Sequence, residues 1–197
     1  MKRYEKLDKL IEEHDGIIKT AQIVAAGISK ALFYDYVKEK RLSQVAHGIY
    51  ASAEVWIDSM FLIHLRSEQA IFSHETALFL HDLTDREPSP YSITVKTGYN
   101  PFRLKEDGLK VYTVKKELHP VGCITAATSF GHQVPVYDME RTICDLIRSR
   151  RDIEIQTFQT AMKLYSRRQD KNLRTLMQYA SLFRVEKILR QYLEVLL

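Results

Sequence analysis

The sequence predicts an α+β protein in two parts: a small N-terminal helical module closed by a β-hairpin, and a mixed α/β domain ending in a helical cap. Three observations carry this. Two short helical patterns separated by Gly27 lead directly into a two-strand pattern around His47-Gly48. The middle of the chain mixes β-branched strand segments with capped helices, as in Tyr91–Thr97 and Met139–Arg148. Roughly the last forty residues hold three amphipathic helical stretches and no strand pattern. The boundary falls near residue 54, dividing the chain into 1–54 and 55–197.

In the first part, Arg3–His14 reads as a helix with Leu7, Leu10 and Ile11 on one side, ending before Asp15-Gly16. Thr20 is expected to cap a second helix, its hydroxyl accepting from an otherwise orphaned backbone N–H. Gly27 suits a sharp turn of positive φ. Ser29 then caps Lys30–Glu39, on which Leu32, Phe33, Tyr36 and Val37 form a buried stripe. Lys30, Ala31, Tyr34, Asp35 and Lys38 are left facing outward. Arg41–Tyr50 supplies two strands with His47-Gly48 at the tip.

Two helices at a steep angle followed by a hairpin make a winged helix-turn-helix, the layout that sets its second helix in the major groove of DNA. The candidate DNA-binding residues here are Ser29, Lys30, Tyr34, Lys38, Lys40, Arg41, Gln44 and His47. Lys30, at the helix N-terminus, is placed toward base edges. Lys40 and Arg41, at the hairpin entrance, are placed toward phosphates or a narrow minor groove. A helix pair with a hairpin also serves to bind protein, so the layout leaves that reading open.

In the second part, Val55–Arg66 reads as a helix or buried segment. Ser73–Leu83 is a helix with Ser73 as N-cap, and Pro88 and Pro90 stop any continuation. Tyr91–Thr97 is a strand, Gly98–Pro101 a turn, Leu109–Val114 a second strand, and Gly122–Thr125 and Gln133–Tyr137 shorter ones. Asp138 caps Met139–Arg148. Three helices finish the chain at Ile155–Arg168, Leu173–Leu182 and Arg184–Leu196. The first shows Ile155, Phe158, Met162 and Tyr165 on one face; the last shows Val185, Ile188, Leu189, Tyr192 and Leu196.

Composition narrows the function classes. The chain has 197 residues, 45% of them apolar, and a formal charge of +4, which is compatible with nucleic acid without requiring it. Cys123 and Cys144 form no CxxC pair, and the N-terminus is charged rather than signal-like, so a reduced cytoplasmic protein is expected. The longest apolar run, Val55–Leu65, is broken by Asp58, Ser59 and His64 and falls short of the ~20 residues a membrane span needs. No membrane partner is expected.

Charge is unevenly placed. Residues 1–54 hold nine Lys/Arg against eight Asp/Glu, so this module alone is only +1 and grips DNA weakly. Lys163–Arg190 holds eight basic residues against two acidic ones, and Lys96–His119 six against three. Lys163, Arg167, Arg168, Lys171 and Arg174 are therefore either a solvated face or a second phosphate-binding surface.

Catalytic patterns are missing. There is no P-loop, GxGxxG, HExxH or GxSxG, so no cofactor and no enzyme are expected. His74-Glu75 and His81-Asp82 lie seven residues apart on one helix, where capping or core-edge packing outweighs metal binding. The strand Thr94-Val95-Lys96 carries threonine where a nuclease would need its metal-binding carboxylate. Asp138, Glu140, Arg141 and Asp145 could hold a cation, but Glu140, Arg141 and Asp145 fit a helix-end ion-pair network better.

Four segments together resemble the AbiEi-type antitoxins of abortive-infection systems: GISKALFYDYVKEKRLSQVAHGIYA, SHETALFLHDLTDREP, YSITVKTGYNP and VYDMERTICDLI. The resemblance covers nearly the whole chain. It implies a type IV antitoxin that represses its own toxin–antitoxin operon, its winged module bound to inverted repeats in the promoter. It implies a C-terminal domain that gives antitoxicity and assists DNA binding, and a nucleotidyltransferase-like toxin countered without a stable complex. Nothing in the sequence marks a strong dimer seam, so a monomer is expected when free, with two molecules on an operator of two half-sites. Ser29, Lys30, Tyr34, Lys38, Lys40, Arg41 and His47 occupy the family's DNA-facing positions; no residue is implied for antitoxicity. Two other readings stay open: a one-component regulator whose α/β domain senses a small molecule, and a nuclease with a DNA-reading head.

Overall fold

The computed structural model describes residues 4–196 and, within the last helix, side chains as far as Glu194. Arg3, expected in the first helix, and the side chain of Leu196, expected on the last apolar face, lie outside the described residues. Two compact units make up the chain, Met1–Ile57 and Asp58–Leu197. The described residues form ten α-helices and two sheets, a mixed α+β structure.

The first unit runs α1 (Glu5–Glu12), β1 (Ile17–Lys19), α2 (Thr20–Ala25), α3 (Lys30–Lys40), β2 (Ser43–Ala46) and β3 (Ile49–Ala51). Its sheet has the order β1-β3-β2, all antiparallel. The third strand, β1, is too short for its alternation to stand out in sequence, and its pairing with β3 is long-range. Gly16 leads into it with φ +78°; a Cβ there would sit 2.4 Å from Val55 Cγ2, so only glycine fits. Leu7, Ile11, Ile18, Ile23, Phe33 and Tyr36 close the core, with Leu32 and Val37 packed at its margin.

Two local expectations change here. The first helix is shorter than Arg3–His14, because the chain turns after Glu12 and Asp15 takes a positive φ. Thr20 is the first residue of α2 and not its cap. Its hydroxyl instead donates to the Gly48 carbonyl at 3.2 Å, while the Gln22 side chain accepts from the Lys19 backbone N–H at 2.8 Å. The threonine thus ties the helix to the hairpin tip. Ser29 does cap α3, its hydroxyl accepting from Leu32 N at 3.3 Å.

The second unit runs α4 (Ser59–Arg66), β4 (Ile71–Phe72), α5 (His74–Leu80), β5 (Ser92–Lys96), α6 (Phe102–Glu106), β6 (Lys110–Val114), β7 (Cys123–Ala127), β8 (Gln133–Tyr137), α7 (Met139–Arg148), α8 (Ile155–Arg167), α9 (Leu173–Leu182) and α10 (Glu186–Leu196). The sheet order is β6-β5-β4-β8-β7, with β5/β6 and β4/β8 parallel and the other pairs antiparallel. Ile93, Val95, Val134, Val136 and Phe72 from the strands pack with Met60 of α4. A second apolar cluster joins Ile143, Leu146 and Ile147 of α7 to Phe158, Met162, Leu176 and Leu189 of the terminal helices.

Helix α4 occupies only the end of the predicted Val55–Arg66 segment. Asp58 starts it, accepting from Met60 N and Phe61 N, and the preceding stretch leaves Trp56 82% exposed. Asp58 also accepts from Thr128 and His132, which pins the start of α4 to the β7–β8 hairpin. Ser73 precedes α5 but makes no capping bond; its hydroxyl accepts from Thr94 Oγ1 at 2.8 Å and meets His74 Nδ1 at 3.0 Å. Ile155 is exposed rather than on the apolar face of α8, where Ala161 takes the buried position. Among the described residues no helix is long and apolar enough to cross a membrane.

Candidate nucleic-acid interface

On α3 the outward residues follow helical geometry. Lys30, Tyr34 and Lys38 fall at i, i+4 and i+8, so they share one stripe, and all three are exposed. The stripe runs into the hairpin. The Tyr34 ring meets the Tyr50 ring edge-on at 6.3 Å between centroids, and Tyr50 on β3 pairs directly with Gln44 on β2. Directly opposed residues of an antiparallel pair present side chains to the same face. The exposed Gln44 therefore lies on the side of the hairpin that Tyr50 presents to Tyr34.

Arg41 terminates α3 in the left-handed conformation, φ 55°, and is exposed at the hairpin entrance; His47 is exposed at the tip. Lys40 is differently placed. Its ammonium lies 3.7 Å from Asp8 Oδ1 and 5.9 Å from the Tyr36 ring centre, and Asp8 also accepts from the Tyr36 hydroxyl at 2.7 Å. Its charge is partly answered inside the unit. The Ser29 hydroxyl is committed to its cap.

The basic residues of α8 and α9 divide in the same way. Lys163, Arg167 and Arg174 are exposed and make no ion pair among the described residues. Lys163 and Arg167 are one turn apart on α8 and share a face. Arg168 instead clasps Asp170 with two bonds of 2.8 and 2.7 Å, and Lys171 donates to the Arg168 carbonyl. On α8 and α9, Lys163, Arg167 and Arg174 are thus the exposed cations that no carboxylate among the described residues answers.

The expected Glu140-Arg141-Asp145 ion-pair network forms in part: Arg141 pairs with Asp145, but deep in the core and without Glu140. Arg141 is 0% exposed. Its Nε donates to Asp145 Oδ2 at 2.9 Å, and its Nη1 donates to the carbonyls of Leu118 and Val121. The guanidinium lies between the rings of Tyr137 and Phe183, 4.1 and 3.9 Å from their centres. Glu140 takes no part; it accepts from the Tyr165 hydroxyl and Asn172 N. Burial pushes the Asp145 carboxyl up, and Arg141 and Arg148 pull it back. Sequence reading missed this buried centre, although an i, i+4 Arg–Asp pair among Ile143, Cys144, Leu146 and Ile147 was a sign of it.

The two histidines of the His74–Asp82 segment go separate ways. His74 stacks flat on Tyr112 at 3.5 Å and reaches Ser149 Oγ at 3.1 Å through Nε2. His81 Nε2 donates to the Tyr137 carbonyl at 2.7 Å. Among the described residues no group of three or more His, Cys, Asp or Glu is arranged to hold a metal ion.

A pH dependence follows from these burials. His74 is held well below its usual value of 6.5, first by burial and then by the Lys110, Arg148 and Arg141 cations. His119 is lowered as well, again first by burial. A lowered histidine means that the unfolded chain takes up the proton first, so the stability it contributes is complete above pH 6.5 and lost as pH falls below it. His74 alone gives a slope of up to about 1.4 kcal/mol per pH unit there. Asp138 and Asp145, both raised by burial, act in the opposite sense nearer the carboxylate range. Urea unfolding at about pH 7.5 and about pH 5.5 should show the loss, and His74→Gln should flatten it.

Residues 5–53 match a family of transcriptional regulators. The family model is that of the AbiEi antitoxin transcriptional regulators, and the similarity is confined to those residues. No curated protein matches the chain.

Proposed function

We propose that the protein is the antitoxin of a type IV toxin–antitoxin system and represses its own operon by binding inverted repeats in the promoter. The observation that carries this reading is the exposed Lys30–Tyr34–Lys38 stripe on α3, with Gln44 on the adjoining hairpin, in a unit that matches the AbiEi regulators. The unit is a winged helix-turn-helix in this reading: α2 and α3 form the helix pair, and β2–β3 form the wing. Lys30 and Tyr34 read the major groove, while Arg41 and His47 contact the backbone or minor groove.

Ser29 supports the reading helix through its cap, and Lys40 is the weaker phosphate ligand because Asp8 competes for it. The near-neutral first unit supplies specificity, and Lys163, Arg167 and Arg174 add sequence-independent attraction. Arg168 and Lys171 belong to that surface mainly by holding its shape. Two molecules occupy an operator of two half-sites, the free protein is monomeric and cytoplasmic, and the second unit gives antitoxicity toward a nucleotidyltransferase-like toxin without a stable complex. No step requires a cofactor or enzymatic turnover.

Fluorescence anisotropy with the protein's own promoter and a scrambled duplex tests the repressor half. Lys30→Ala should lower discrimination between the two by about 1–3 kcal/mol. Lys163→Ala with Arg167→Ala should weaken binding to both duplexes and reduce the salt slope by about 2. Equal binding of the wild type to both duplexes would refute sequence-specific repression. Co-expression with the neighbouring toxin gene tests the other half, and unrescued growth would count against antitoxicity.

A further inference from the structure

A small notch in the second unit opens beside the buried arginine centre. It is about 30 Å³ in volume, and its walls include His74, Thr94, Tyr112, Arg141, Arg148 and Ser149. Two polar atoms on those residues are fully buried and make no hydrogen bond of ordinary geometry among the described residues: Arg141 Nη2 and the Tyr112 hydroxyl, the latter lying beside the Lys110 ammonium. Both are donors, since a guanidinium keeps its protons and burial holds the Tyr112 phenol above its ordinary value. Ser149 and His74 Nε2 stand beside them, 3.1 Å apart. Arg148, with its side chain 35% exposed, links the notch to solvent.

The charges favour an anion. Asp145 lines the notch, but its two oxygens are already taken by Arg141 Nε and Arg148 Nη1. It therefore holds the two guanidiniums in place rather than presenting a bare negative edge. Among the lining residues two guanidiniums thus stand against one carboxylate, while Lys110, near the Tyr112 ring, is paired with Glu75 at 2.7 Å. His74 enters α5 with φ 49°, a strained conformation for a side-chain-bearing residue, and its ring lies flat against Tyr112.

We propose that this notch binds a small oxyanion: inorganic phosphate or the terminal phosphoryl group of a small phosphomonoester. Its donors converge from several directions, as the terminal oxygens of a phosphoryl group require, and Arg recognises such groups through paired N–H bonds. The notch holds little more than one oxygen-sized group, so the anion seats one oxygen in it and the rest of the phosphoryl group, with any larger part of the ligand, stays at the Arg148 mouth. A duplex phosphodiester, flanked by sugar on both sides, cannot reach walls as buried as Arg141 and His74. The notch lies wholly within the second unit and gives that unit a small-molecule input.

The test titrates inorganic phosphate into the full-length chain at fixed ionic strength, by calorimetry and by shift in melting temperature. Chloride serves as the salt control, and a nucleoside 5′-monophosphate as the second ligand. Saturable binding is expected in the wild type. Arg148→Gln, which keeps the core arginine, should weaken it by about tenfold. Tyr112→Phe should weaken it several-fold, and Lys163→Ala should leave it unchanged. Tighter binding of the monophosphate identifies a phosphomonoester as the ligand, and equal binding identifies free phosphate. No saturable binding in the wild type, unaltered binding in both Arg148→Gln and Tyr112→Phe, or competition by duplex DNA would each overturn the proposal.

Discussion

Arg141→Met should destabilise the second unit by about 3–5 kcal/mol, the usual cost of removing one partner from a buried ion pair. The substitution leaves Asp145 buried with only Arg148 to answer it, and it strips the Leu118 and Val121 carbonyls of their donor. It also removes the cation held between Tyr137 and Phe183, which methionine fills only as an apolar chain. The urea midpoint should fall at unchanged m, which marks a loss of stability rather than a change in the denatured state. Arg141→Met combined with Asp145→Leu should recover much of the loss, because a buried pair replaced as a whole costs far less than a broken one. A single-variant change below about 1 kcal/mol would show that the centre is far less desolvated than its burial indicates.

Phe33→Ala should destabilise the first unit by a similar amount, about 3–5 kcal/mol, through the cavity left beneath α3. Phe33 is fully buried and meets Tyr50 edge-on at 5.2 Å, so it fixes α3 against β3. Specific promoter binding should disappear with it, since the Lys30–Tyr34–Lys38 stripe is aligned by that packing. Lys30→Ala, by contrast, should change specificity at nearly constant stability, because exposed substitutions usually stay within about 0.5 kcal/mol. If both variants lose discrimination and neither loses stability, the packing role assigned to Phe33 is wrong.

Much of this architecture was legible where short-range chemistry decides it. Ser29 and Asp138 sit at their helix starts, and each makes the capping bond its residue type suggests. The α3 stripe, Gln133–Tyr137 and Leu173–Leu182 follow from local periodicity. What escaped depends on distant partners. Ile17–Lys19 and Ile71–Phe72 become strands only because β3, β5 and β8 pair with them. Thr20 and Ser73 look like caps, but their hydroxyls find better-placed partners in Gly48 and Thr94. Of the candidate interface, the exposure of Lys30, Tyr34, Lys38, Gln44 and His47 follows from period and position, whereas Asp8 beside Lys40 and Asp170 on Arg168 are contacts that spacing alone does not rank against solvent. The phosphoryl notch escaped entirely, since its donors come from α5, β6 and α7 and meet only in the fold.

Trp56 has a practical consequence. It is the only tryptophan in the chain, it is almost fully exposed, and it stands two residues before the boundary between the units. Intrinsic fluorescence excited at the indole band is therefore a single-site signal from that junction, without labelling or engineered probes. Emission should be red-shifted and readily quenched by iodide in the free protein. A blue shift or protection on adding promoter DNA would locate a change at the junction itself.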